Sequence, residues 1–266
     1  MSQAVPAPFD VKLMNLTATL LFAVCIVVAG AALLWWTARG SMFSIRGITV
    51  RGDIVHTSAL AVRANVMPQL TGNLFTVDLG AARQAFESVP WVRRAVVSRE
   101  FPDRLEVVLR EQQAVALWGD AAGSQMVNTL GEVFEANVGE VEQDQLPRLL
   151  GPAAQAAHVL DMYRAIEPLF AALDQSIDQL ELNGRGSWRL KLDSGGEIEL
   201  GTGSIAEVVA RAEGFSRSIL NVVKTHDRDI DAIESADLRY GDGYALRLAG
   251  VTTTAEPLKH KPGDKR

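Results

Sequence analysis

The chain has 266 residues, 48% hydrophobic and 22% charged, with 22 Gly, 10 Pro and one Cys. That length suits one or two domains, and the composition excludes a wholly disordered chain, a collagen-like repeat and a disulfide-stapled mini-protein. The net charge of -6 disfavours nucleic acid as a partner, since duplex binding calls for a basic footprint.

Residues 1–12 read as a short tail. From 13 to 38 no side chain is charged, and the most apolar part, 16–36, is 21 residues long. At about 1.5 Å per residue it spans about 31 Å, the thickness of a hydrocarbon core. Trp35 and Trp36 stand at one end, where indoles favour the headgroup zone, and Lys12 and Arg39 close the run. A cleaved signal peptide has an apolar region of about 7–15 residues and a small-x-small cleavage site. This run is longer and ends Trp-Trp-Thr-Ala-Arg, so 13–38 is expected to be an uncleaved transmembrane helix. Cys25 is then a small apolar filler of the anchor, and no internal disulfide is available. Lys12 is the only basic side chain before the span, while Arg39, Arg46 and Arg51 follow it. A count of basic residues places the C-terminal side in the cytoplasm. Long translocated domains escape that rule, so charge alone leaves orientation open.

Residues 42–118 read as a small α+β domain. Ile45, Ile48 and Val50 form a β-rich run ending at Gly52. Thr57 is the expected N-cap of a helix carrying Leu60, Val62, Val66 and Met67, which Pro68 helps to end. The stretch 74–79 is a short apolar strand fragment, and 80–88 a second helix with Ala82, Ala85 and Phe86 on one face. Strand residues Trp91, Val92, Ala95 and Val97 point inward, with one break in period. Phe101-Pro102-Asp103-Arg104 is a turn. Alternation resumes over 105–117, read as one strand.

Residues 119–250 form a second, Gly-punctuated region. Residues 126–134 read as a hairpin with Gly131 in its turn. Residues 153–173 are a helix with Ala156, Val159, Leu160, Tyr163, Ile166 and Phe170 inward. Strands are expected at 177–182, 188–192 and 197–200, a helix at 204–223, and a final strand pair at 230–240 and 244–248. Residues 251–266, with Pro257, Pro262 and several Lys, read as a disordered tail.

Motifs for chemistry are sparse. Gly201-Thr202-Gly203-Ser204-Ile205-Ala206 matches G-x-G-x-x-A, but the strands before it form a hairpin and not a βαβ unit. Ser204 with Glu207 explains the segment as a capping box. His56, His158, His226 and His260 stand apart, none at ligand spacing, and no G-x-S-x-G motif occurs. His226-Asp227-Arg228-Asp229 is a solvated loop. Neither an enzyme, a cofactor nor a small-molecule substrate is indicated.

The order of these pieces resembles a known family. Ile48-Thr49-Val50-Arg51-Gly52 is followed by Pro90-Trp91-Val92-Arg93-Arg94-Ala95-Val96-Val97-Ser98-Arg99, then Phe101-Pro102-Asp103-Arg104-Leu105-Glu106-Val107, Glu111 and Ala116-Leu117-Trp118. This resembles the POTRA domain of the FtsQ/DivIB cell-division proteins. Leu130-Gly131-Glu132-Val133-Phe134, Leu146-Pro147, Gly151-Pro152 and Asp237-Leu238-Arg239-Tyr240 resemble the β domain of the same family. The resemblance covers about 13–250. It implies a single transmembrane helix followed by a POTRA domain and a larger antiparallel β domain with flanking helices, an α+β fold. It implies an inner-membrane protein with its N-terminus in the cytoplasm and both domains in the periplasm, at the division septum. It implies a non-enzymatic divisome scaffold that binds FtsB and FtsL alongside other membrane proteins of division. Tyr240, Tyr244, Leu246, Arg247 and Leu248 map onto the FtsB-binding edge strand. Arg239 is implied to face an acidic group on the partner, with Arg185 as its counterpart from a neighbouring strand. Where the family often has Glu-x-x-Pro, this chain has Glu111-Gln112-Gln113-Ala114, which leaves the local turn open.

The residues themselves agree with an edge. Tyr244, Leu246 and Leu248 share one face, Ala245 and Arg247 the other, and no strand pattern follows Gly250 to cover the backbone. Two other readings are a POTRA-bearing component of polypeptide transport and an anchored periplasmic enzyme. The first calls for a following run of barrel strands that is lacking, the second for paired carboxylates in a cleft.

Overall fold

The computed structural model describes residues 9–38, 44–52, 54–120, 123–241 and 243–251. The tail expected at 1–12 therefore lies outside the described residues up to residue 8, and the tail expected at 251–266 lies outside them beyond Val251. Helix α1 (Phe9–Ala38) begins four residues earlier than the expected span. The described side chains from Leu13 to Leu33 are exposed all round. An isotropically apolar helix has no face to lay on a protein core, which suits a bilayer. Two of its hydroxyls bond to backbone carbonyls within the helix. The Thr17 hydroxyl donates to Leu13 O (3.1 Å) and Met14 O (2.9 Å), and that of Thr19 to Asn15 O (2.7 Å).

The remainder divides at Gln112/Gln113 into two compact units. In the first, β1 (Gly47–Gly52), α2 (Ala59–Val66), α3 (Leu79–Glu87), β2 (Val92–Glu100) and β3 (Arg104–Glu111) form a three-stranded sheet of order β1-β3-β2. β1 pairs parallel to β3 and β2 antiparallel to it. Ser58, one residue after the expected Thr57, caps α2 by accepting from Ala61 N. Asp78 caps α3 by accepting from Gly80 N and Ala81 N. Both caps satisfy amides that have no partner inside the helix. The expected strand fragment at 74–79 is a turn instead, with Leu74 and Val77 buried beneath it. The break in period along β2 is a bulge between Val92 and Arg94. An extra residue there resets the alternation so that Val92, Ala95 and Val97 all face the core.

Glu111 explains the turn left open by the missing proline. Its carboxylate accepts from the backbone N–H groups of Val55 (3.0 Å), His56 (3.0 Å) and Thr57 (2.7 Å), pinning the β1–α2 loop to the end of β3. Burial pushes this carboxyl up. The Thr57 side chain and the three N–H groups outweigh burial and hold it below the ordinary carboxylate value. Beside it the imidazole of His56 stacks on Trp91 with ring centroids 4.1 Å apart.

The stretch 105–117 is not one strand. It ends at Glu111, and β4 (Ala114–Trp118) belongs to the second unit, so the boundary falls at 112/113 and not at 118/119. There β5 (Gln125–Asn128), β6 (Val133–Glu135), β7 (Arg148–Leu150), α4 (Ala156–Ala171), β8 (Ile177–Leu182), β9 (Ser187–Leu192), β10 (Glu197–Thr202), α5 (Ile205–Thr225), β11 (Ile233–Asp237) and β12 (Ala245–Leu248) complete the fold. The nine strands form one sheet of order β12-β11-β10-β9-β8-β7-β4-β5-β6.

The expected larger domain is antiparallel; the observed sheet is mixed. β4 and β7, β7 and β8, and β10 and β11 pair in parallel. Helix α4 links β7 to β8, and α5 links β10 to β11. A parallel pair cannot be closed by a tight turn and needs such a crossover. Both helices bury one stripe against a shared core with Trp188, Leu190 and Leu200 of the sheet. α5 starts at the expected capping box: Glu207 N donates to Ser204 Oγ (3.4 Å) and Ser204 N to Glu207 Oε2 (2.8 Å). Gly131 lies at φ +80 in the β5–β6 turn, where a Cβ would stand 2.5 Å from Ala157 Cα. Only glycine fits both demands.

Candidate functional site: an uncovered sheet edge

β12 is the last strand of the sheet among the described residues. Its inner neighbour is β11, antiparallel, in the register Asp237↔Ala245, Ala236↔Leu246, Ser235↔Arg247 and Ile233↔Leu248. In a strand every second residue turns its N–H and C=O to the side away from its neighbour. On β12 no described strand receives them.

Side chains on the core face hold this strand in place. Leu248 is buried and Leu246 half-buried. The Tyr244 ring meets Phe215 of α5 edge-on at 5.0 Å, and its hydroxyl lies 3.0 Å from Ser218 Oγ. Ala245 and Arg247 are exposed on the opposite face, so the alternation expected for 244–248 is the one observed.

The expected strand 230–240 is shorter. A 3-10 turn occupies Ile230–Ala232 and β11 ends at Asp237. Arg239 and Tyr240 therefore lie on the connection between β11 and β12. Tyr240 is 61% exposed, a large aromatic side chain offered to solvent beside the free edge. Arg239 turns back on Asp237, donating from Nε to Oδ1 (2.8 Å) and from Nη2 to Oδ2 (2.6 Å). These hydrogen bonds hold the Asp237 carboxyl below the usual carboxylate range against desolvation, and Asp237 raises the already basic Arg239 further. Gly201, at φ +81 in the β10 bulge, makes the room: a Cβ there would stand 2.9 Å from Arg239 Cγ.

Arg247 likewise has a partner within the domain, Glu234 Oε2, at 2.6 Å from its Nε. Arg185 is exposed in the β8–β9 turn, its backbone N–H donating to Asn183 Oδ1 (3.0 Å). Strand directions bring Arg185, Arg239, Tyr240 and Tyr244 to the same end of the sheet, but β9 and β10 separate Arg185 from β11. Arg185 and Arg239 share a sheet end, not a contact.

Sequence reasoning did not single out Glu234 and Asp237, the acids that hold the two arginines. The i, i+2 spacing of Asp237 and Arg239 was a visible signal for one pair. The Glu234–Arg247 pair depends on the register and had none. On the outer sheet face, Glu197, Glu199, Ser235, Asp237, Ala245 and Arg247 line an open depression of about 380 Å³ next to β12. A more apolar groove of about 570 Å³ lies in the first unit, between β1 and α2, away from this edge. Among the described residues no group of three or more His, Cys, Asp or Glu is placed to hold a metal ion.

Two family models match the chain, domain by domain. Residues 43–112 match the POTRA domain of FtsQ type, and 116–239 the C-terminal domain of the cell-division protein FtsQ/DivIB. These limits agree with a boundary at 112/113. Among relatives, the cell-division protein FtsQ of Thiomonas arsenitoxydans is 38% identical over 92% of this chain and 89% of its own length. The FtsQ of Burkholderia pseudomallei is 36% identical over 95% and 98%, and that of Neisseria gonorrhoeae 26% over 88% and 92%. With an apolar helix long enough to anchor it, followed by these two domains in this order, the chain belongs to the FtsQ/DivIB family of cell-division proteins.

Proposed function

We propose that this protein is a non-enzymatic, membrane-anchored scaffold of the divisome that captures an extended segment of the FtsB–FtsL pair on β12. α1 crosses the inner membrane with its N-terminus in the cytoplasm, and both domains lie in the periplasm at the division septum. The observation that carries this reading is the edge itself. β12 is fixed from the core side by Tyr244, Leu246 and Leu248, and its outer backbone groups meet no described strand. An added strand pairs with those groups, and the exposed side chains beside them select it. Tyr240 offers apolar contact area. Arg239 and Arg247 contribute selectivity more than affinity, because Asp237 and Glu234 already offset their charge. Arg185 adds an exposed cation at the same end of the sheet.

Binding of the full-length protein in detergent to the purified FtsB–FtsL pair tests this. Tyr240→Ala is expected to weaken binding by about 30-fold, the effect of losing an interface tyrosine worth about 2 kcal/mol, with melting unchanged. Arg239→Glu weakens it less, and a charge-swapped partner recovers part of the loss. Folded Tyr240→Ala and Arg239→Glu variants that bind like the parent remove β12 as the site. A reporter active only in the periplasm, fused after Gly250, tests the orientation; inactivity there, with a cytoplasmic reporter active, reverses it.

A further inference from the structure

The β2–β3 turn and the turn at 74–76 of the small domain each present an aromatic ring that the domain leaves partly or largely exposed. Phe101 is 66% and Phe75 44% exposed, with ring centroids 5.9 Å apart. The backbone beneath them is held firmly. The Arg99 guanidinium donates to Leu74 O (2.6 Å) and Val77 O (3.1 Å) and reaches Phe75 O at 3.5 Å. Leu74 and Val77 are buried, so the loop is rooted in the core while its aromatic neighbours stay outside. A fixed backbone with exposed rings suits docking, since little order is lost when the rings are covered.

Two exposed arginine side chains flank this tip, one of them paired with an acid. Arg46 lies beside the turn, its N–H donating to Asp103 O (2.8 Å), with its side chain 72% exposed. The Arg104 side chain is exposed, while its backbone is paired in β3. The nearby acids are engaged within the domain. Asp103 lies 3.8 Å from Arg46, Glu100 accepts from Thr49 Oγ1 (2.8 Å), and Asp78 caps α3.

The tether decides what covers the tip. α1 ends at Ala38, and Arg46 is eight residues further on. Eight residues reach at most about 28 Å when fully extended. The turn therefore stays close to the bilayer that α1 crosses. Apolar rings favour the headgroup–acyl boundary, and arginines within a Debye length are drawn to anionic lipid. We propose that the Phe75–Phe101 tip of the small domain rests in the bilayer interface, with Arg46 and Arg104 on anionic headgroups.

The test uses the full-length protein in nanodiscs of brominated lipid, either phosphatidylcholine alone or a mixture with phosphatidylglycerol. Phe101→Trp adds an indole at the tip, and Val96→Trp adds one at a position 58% exposed on the outer sheet face. Quenching of the added fluorescence is expected to be at least about twofold stronger for Phe101→Trp, as interfacial burial of one site and not the other requires. It is stronger with phosphatidylglycerol, and adding Arg104→Glu or Arg46→Glu lowers the docked population about fivefold or more. Equal quenching at the two positions overturns the proposal, as does indifference to lipid charge and to both arginine changes. Protection of the indole from acrylamide only when solubilised division proteins are added, without bromolipid quenching, assigns the tip to a protein instead. Amide exchange over 99–104 in the unmodified chain gives a second reading free of any folding defect. It is expected to slow in phosphatidylglycerol discs, and an unchanged rate counts against docking.

Discussion

The two domains are opposite in charge. Residues 44–112 carry nine Arg, no Lys and seven acidic residues, whereas 113–251 carry eleven basic residues against twenty-two acidic ones. The net charge of -6 sums a slightly basic domain, a strongly acidic one and the terminal segments, and describes neither domain. They also differ in construction. The small domain rests two short helices on three strands and needs a side chain, Glu111, to tie its β1–α2 loop down. The large one covers nine strands with two long helices and ends in β12, which meets no further strand among the described residues. One chain thus offers two unlike surfaces: a turn with exposed aromatic rings, and an extended backbone edge whose arginines are locally balanced.

The largest effects test whether the two cores are independent. Trp188 is 1% exposed in the larger core, and Trp188→Ala is expected to destabilise that domain by about 3–5 kcal/mol. Trp91, 4% exposed and stacked on His56, should behave likewise in the small domain. Calorimetry of the full chain should show each substitution lowering one transition and leaving the other in place. A joint shift would mean that the units unfold as one.

A middle-sized effect belongs to the small domain alone. Glu111→Gln keeps the shape but weakens the acceptor of three N–H groups, and is expected to cost about 1–3 kcal/mol. The folded carboxyl titrates below its ordinary value of 4.5, so its contribution is complete above that pH and fades as pH falls through the folded value. Melting of the small domain from pH 6 down to pH 3 should therefore fall more steeply in the parent than in Glu111→Gln, by about 1 kcal/mol or less per pH unit. Parallel curves would show that Glu111 is not the group being titrated.

The smallest effect separates stability from recognition at the edge. Arg247→Ala removes an exposed pair with Glu234, and such pairs contribute about 0.2–1 kcal/mol. Chemical denaturation should barely register it. A loss above about 2 kcal/mol would show instead that β12 depends on this pair for its place in the sheet.

Much of this architecture is legible along the chain. Period 3.6 marked α4 and α5, period 2 marked β8, β9 and β12, and the Ser204–Glu207 box marked where α5 begins. The alternation over 244–248 marked the inward and outward faces of the candidate edge. Other features were hidden because periodicity reports which face a residue occupies and not which strand lies beside it. The run 105–117 alternates throughout, yet Ala116 and Trp118 pack in the second core while Leu105 to Leu109 pack in the first.

The features legible from the residues alone are therefore mostly local: the apolar helix, the later helices with the Ser204 cap of α5, and the strand faces, together with the order of the two domains. Each follows from side-chain chemistry acting within a few residues of itself. Tertiary structure alone decided the rest. It made the sheet mixed, because α4 and α5 carry the chain across so that β8 and β11 run alongside β7 and β10. It paired Arg247 with Glu234, groups thirteen positions apart that only the antiparallel register brings together. It set the Val55, His56 and Thr57 amides on the Glu111 carboxylate across more than fifty residues of chain. It placed β12 outermost, because whether a strand is an edge depends on every other strand having found its partner first.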